Sequence, residues 1–131
     1  PRRSSSAEKE SQAAALIRGR KLSCEELARS CLNRIAARDA DVKAWLWLDP
    51  DHVIRRAREL DKLAPMGPLH GLPIAHKDLL ETKGIRTTYG SPVFENHVPD
   101  FSALLVERAQ GAGAITIGKT NNIIMHINVF H

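Results

Sequence analysis

Leu72–Pro73–Ile74–Ala75–His76–Lys77–Asp78 is the stretch on which the reading of this chain turns. Its first four residues are a short apolar run between turn formers, the pattern of a buried strand, and the strand ends on a lysine followed by an aspartate. Downstream, Pro99–Asp100 opens a helix expected to turn Phe101, Leu104, Leu105 and Ala109 inward and to close at Gly111 and Gly113. Ala114–Ile115–Thr116–Ile117–Gly118 then reads as a second buried strand. Strand, helix, strand in that order is a crossover unit, which puts two parallel strands in one sheet covered by helices. The fold class is therefore α/β. Ligands of such sheets collect at the carboxyl ends of the strands, where Lys77 and Lys119 both fall. Between the strands, Arg86 to Ser91 is rich in Thr and Gly and reads as irregular or loop-bound structure.

Toward the N-terminus the texture is helical. Ala13, Ala14, Leu16 and Ile17 form a short apolar face before Gly19. Ser23 with Glu26 is a capping box, and Leu27, Ala28, Cys31, Leu32 and Ile35 follow at helical spacing. Trp45 and Trp47 share one side of an alternating segment, Val42 to Leu48, which ends at the helix-start pair Asp49–Pro50. Val53, Ile54, Ala57, Leu60 and Leu63 mark a third amphipathic helix, stopped by Pro65 and Gly67. Cys24 and Cys31 lie on one helix with backbones about 10 Å apart, too far to pair, and read as buried reduced thiols.

The 131 residues fit one domain, with 43% hydrophobic and 26% charged residues, a mix typical of folded, water-soluble chains. The net charge of +4 is spread over helix-like segments and interleaved with acids, and only 5% of residues are aromatic, so no nucleic-acid partner is expected. No apolar run reaches the ~18 residues needed to cross a bilayer, and the polar N-terminus lacks the apolar segment of a secretion signal. The expected address is cytoplasmic, without a membrane partner.

Lys77 is the candidate for chemistry. A lysine directly after an apolar strand sits where burial can depress its pKa and make the neutral amine a usable base. Asp78 points to the other side of the strand, where it can anchor the backbone or a loop instead of neutralising the lysine. The residues alone leave open an ordinary surface lysine beside an acid. His70 and His76, like His126 and His131, lack the spacing and companions of a metal site. Lys119 could contact an anion, but at its strand end it is read rather as fixing the loop around Asn121.

The run Gly67–Pro68–Leu69–His70–Gly71–Leu72–Pro73–Ile74–Ala75–His76–Lys77–Asp78 resembles the start of the amidase-signature core. Gly84 to Ser91, Pro99–Asp100, and Gly111 to Asn121 are similar to its next blocks, in the same order. The resemblance implies a mixed β-sheet core covered by helices, of which this chain supplies the N-terminal portion. It divides the chain into an N-terminal helical region, 1–66, the start of the core, 67–121, and a tail, 122–131, that does not follow the family pattern. It also implies hydrolysis of a small-molecule carboxamide by a Ser–cis-Ser–Lys triad with Lys77 as base. Asp78, Gly90, Ser91 and Asn121 would support the site, with no metal or organic cofactor. Both family serines belong to a glycine- and serine-rich segment that this sequence does not contain. The competing expectation is thus a truncated, non-catalytic fragment that acts, if at all, by self-association or partner binding.

Overall fold

The computed structural model describes residues 6–121; the tail, 122–131, lies outside them. The elements run α1 (Ser6–Arg18), α2 (Cys24–Val42), β1 (Trp45–Leu48), α3 (Pro50–Asp61), β2 (Pro73–Lys77), a short 3-10 turn (Pro92–Phe94), α4 (Leu104–Gly111) and β3 (Ile115–Thr120). No described helix is long and apolar enough to cross a membrane.

Local chemistry sets the ends of the helices. Ser23 caps α2 by accepting the Glu26 N–H at 3.0 Å, and Asp49 caps α3 by accepting the His52 N–H at 3.2 Å with Pro50 next in the helix. A second cap on α2 comes from a distance. The Asp61 carboxylate, at the end of α3, accepts the N–H groups of Cys24 at 2.7 Å and Glu25 at 3.2 Å. A negative charge on these otherwise unpaired donors also suits the positive end of the helix dipole. α2 leaves through Lys43 in a left-handed conformation, φ 52°, while Asp39 Oδ1 accepts the Ala44 N–H at 2.9 Å and directs the chain into β1.

The sheet is mixed, in the order β1-β3-β2, with β1 antiparallel and β2 parallel to the central β3. β3 is buried along its whole length. Ile115 and Ile117 join Ile17, Cys24, Ala28, Val53, Ala57 and Leu60 in one core between the helices and the sheet. Trp45 and Leu48 pack at its margin. Gly118 is required where β1 closes on β3, because a Cβ there would stand 2.5 Å from Trp47 O and 2.8 Å from the Trp45 ring.

Several expectations change. The Leu72–Ala75 run is not fully buried, because β2 is an edge strand of the described sheet and Ala75 is exposed. Leu63 falls beyond the end of α3 and faces outward. The helix expected from Pro99 begins at Leu104, since the preceding residues are stitched to the loop before them: Gly84 N–H to Pro99 O at 3.0 Å, Lys83 N–H to Ser102 Oγ at 2.9 Å, and Ala103 N–H to Glu81 O at 2.8 Å. Finally, Phe101, Leu104 and Leu105 point outward, and Val106 carries the inward contact. A Gln110 to Thr116 hydrogen bond of 3.0 Å fixes this rotation of α4 against β3.

This last difference gives a paired test. Val106 is fully buried, whereas Leu105 is 64% exposed. Val106→Ala is expected to cost roughly 1–3 kcal/mol in urea unfolding, and Leu105→Ala under about 0.5 kcal/mol. Asp61→Ala, which removes a distant cap, is expected to cost about 1–2 kcal/mol in the same measurement.

Candidate active site

β2 and β3 run parallel, so their carboxyl ends emerge together. Lys77 is the last residue of β2 and stands in register with Thr120 of β3. It is half-buried, and its ammonium makes no hydrogen bond or ion pair with any described residue. The turn that follows is closed by Leu80 N–H donating to Lys77 O at 3.0 Å.

Asp78 is buried and clamps the loop. Its own N–H donates to Thr120 O at 3.1 Å, which fastens the start of the turn to β3. Its carboxylate accepts the Thr88 N–H at 3.1 Å and also the Thr88 hydroxyl, and its carbonyl accepts the Tyr89 N–H at 2.8 Å. Thr88 to Ser91 then forms a tight turn closed by Ser91 N–H to Thr88 O at 2.9 Å. Both central residues have positive φ, 54° at Tyr89 and 73° at Gly90. Glycine adopts that backbone freely, but for Tyr89 it is unfavourable. The Tyr89 ring packs edge-on to Phe94 and stacks on His97, with centroids 5.1 and 6.0 Å away. Ser91 Oγ accepts the Val93 N–H at 3.3 Å and caps the 3-10 turn.

Asp78, Thr88, Tyr89, Gly90 and Ser91 are thus linked in one structure at the end of β2. Asn121 lies across β3 from them, and its N–H donates to Ala44 O at 2.8 Å ahead of β1. Lys119 does not fix the loop around Asn121. Its side chain is fully buried and donates to Leu80 O at 2.6 Å, Thr87 Oγ1 at 2.8 Å and Thr82 Oγ1 at 3.1 Å. Burial pushes its pKa down to about 8, opposed by the carboxylates of Asp78 and Glu81. Thr82 and Thr87 do not stand out in the sequence; their signal is a run of hydroxyl residues in a segment otherwise short of apolar anchors.

The histidines have structural partners. His70 Nδ1 accepts the Met66 N–H at 3.1 Å, which leaves the ring proton on Nε2 to donate to Leu60 O at 3.1 Å. His76 Nε2 lies 3.2 Å from Thr116 Oγ1, and burial, with help from Lys119, lowers its pKa and keeps the ring neutral. Among the described residues no three His, Cys, Asp or Glu side chains are grouped to hold a metal ion.

Residues 26–126 match the protein family described as Amidase. Over 112 residues the chain is 43% identical to a glutamyl-tRNA(Gln) amidotransferase subunit from Acidothermus cellulolyticus, covering 82% of this chain and 22% of that protein. Among solved structures it resembles the native peptide amidase of Stenotrophomonas maltophilia, with a TM-score of 0.77 and 34% identity over 85% of this chain and 24% of that one. Fatty acid amide hydrolase, at 22% identity, shares the fold with a TM-score of 0.81 over 85% of this chain and 20% of its own. The chain therefore spans about a quarter or less of the length of these relatives.

The buried ammonium makes stability depend on pH. An amine whose pKa falls from 10.5 to about 8 on folding loses its proton first in the folded state. The cost of burying the charge is in full force below pH 8 and is relieved as pH rises toward 10.5. Between those limits the wild type is expected to gain on the order of 1–3 kcal/mol relative to Lys119→Met, read as the difference between their urea-unfolding free energies at each pH.

Proposed function

This chain belongs to the amidase signature family, and on that premise we propose that it carries the lysine-bearing part of a catalytic core that hydrolyses a carboxamide C–N bond, with Lys77 as base. The observation that supports this reading is the placement of Lys77: an unengaged, half-buried amine at the carboxyl end of a parallel strand, beside a loop that Asp78 clamps. In its neutral form that amine can take the proton of a bridging serine, which in turn takes the proton of the nucleophilic serine. Attack on the amide carbon forms an acyl-enzyme as the C–N bond breaks and the amine departs with the proton; water then releases the acid.

The two serines have no evident counterpart among the described residues. Ser23 and Ser91 cap helical turns, and Ser102 accepts a backbone N–H from Lys83. What this chain brings to the triad is its lysine. The substrate is a small carboxamide.

A second reading, a non-catalytic unit that associates with itself or with a partner, is favoured by one observation. Phe101, Leu104 and Leu105 present a run of exposed apolar side chains, and uncovered surface of this kind drives association.

The test begins with the protein purified from its natural source, its intact mass, and hydrolysis of simple carboxamides. Lys77→Ala is expected to lower the rate at least about a hundredfold with the fold retained by circular dichroism. Undiminished hydrolysis by that variant removes the first reading. A mass matching these 131 residues, with no hydrolysis and a scattering mass that grows with concentration, selects the second.

A further inference from the structure

We infer that Lys119 is a positioning residue for Lys77, pinning the turn through which the chain leaves β2. Its catalytic consequence rests on the reading of Lys77 above; its structural content does not. The link is short. Lys119 Nζ donates to Leu80 O at 2.6 Å, and Leu80 N–H donates to Lys77 O at 3.0 Å, so one residue joins the two lysines. The other two protons of the ammonium go to the hydroxyls of Thr82 and Thr87. Thr87 precedes Thr88, whose N–H and hydroxyl hold the Asp78 carboxylate next to Lys77. Lys77 is thereby framed on the far side as well.

The arrangement suits positioning better than packing. An apolar side chain would fill the same space between β3 and the loop without the desolvation cost of an ammonium. What only the ammonium supplies is three directed donors, and they meet three acceptors spread over residues 80–87, the segment that departs from Lys77. That segment has no helix or strand of its own to hold its shape.

The test uses the full chain and three variants, Lys119→Met, Thr87→Val and Thr82→Val. Amide hydrogen exchange is followed residue by residue, together with the side-chain NMR signal of Lys77 at its Cε. In Lys119→Met the amides of Leu80, Thr88 and Tyr89 are expected to exchange at least tenfold faster, while those of Val53 and Ile115 stay within twofold. In Thr87→Val, which keeps the Lys119 charge, a smaller acceleration at the same amides and a moved Lys77 signal are expected. Thr87→Val and Thr82→Val also carry the test if Lys119→Met does not fold. A uniform acceleration at every amide, or a lowered melting temperature with the turn amides and the Lys77 signal unmoved, makes Lys119 a packing residue and overturns the inference. The outcome is independent of any amide hydrolysis, so a failure of Lys77 as base is read separately, from the Lys77→Ala assay.

Discussion

An ammonium taken out of water needs a place for each of its three protons, and the Lys119 side chain has one: Leu80 O, Thr82 Oγ1 and Thr87 Oγ1. That requirement organises the end of the sheet that carries Lys77. The loop 80–87 is drawn onto the end of β3, and the following Thr88 can then close on Asp78. The same loop holds the segment beyond it, through Glu81 O to Ala103, Gly84 to Pro99 and Thr87 to His97. α4 therefore starts where this stitching ends. At the opposite end of the sheet, the Asp61 cap plays a corresponding part by tying the end of α3 to the start of α2.

Two kinds of surface result. Around Lys77 the backbone is tied down while the amine itself stays unengaged by the described residues. Along α4 the reverse holds: Leu104 and Leu105 are apolar and uncovered, while Val106 is buried and Gln110 is bonded to Thr116 of the sheet. In relatives roughly four times as long, this part of the fold is one portion of a larger body.

Much of this is legible in the sequence, because helix starts and buried strands are written locally. Ser23, Asp49–Pro50 and the strand, helix, strand order each predict an element that is present. The rotation of α4 is not legible. Apolar spacing shows that a helix has a greasy side but does not say whether the partner of that side is present, and here Gln110 and Val106 take the inward positions. The partners of Lys119 and Asp61 are hidden for another reason. The bonds span 32 to 39 residues for Lys119 and 36 to 37 for Asp61, and no local periodicity records a contact of that range. Four apolar residues and a turn suffice to put Lys77 at a strand end; they do not reveal how its loop is held.

The strand order carries a consequence for how such a chain is assembled during synthesis. Among the described residues β1 and β2 do not pair with each other; each is bonded only to β3, the last of these three strands in sequence. Leu48 must wait for Gly118, and Pro73 for Ile115, before any ladder can form. The packing of α2 on α3 joins neighbouring helices and needs none of these later residues. On a ribosome adding residues from the N-terminus, α2 and α3 can meet early, while the sheet and the part of the core that Ile115 and Ile117 supply close only when β3 emerges. Until then Trp45 and Trp47 have no strand to pair with, and the interval is the period in which this part of the chain most needs protection from its neighbours.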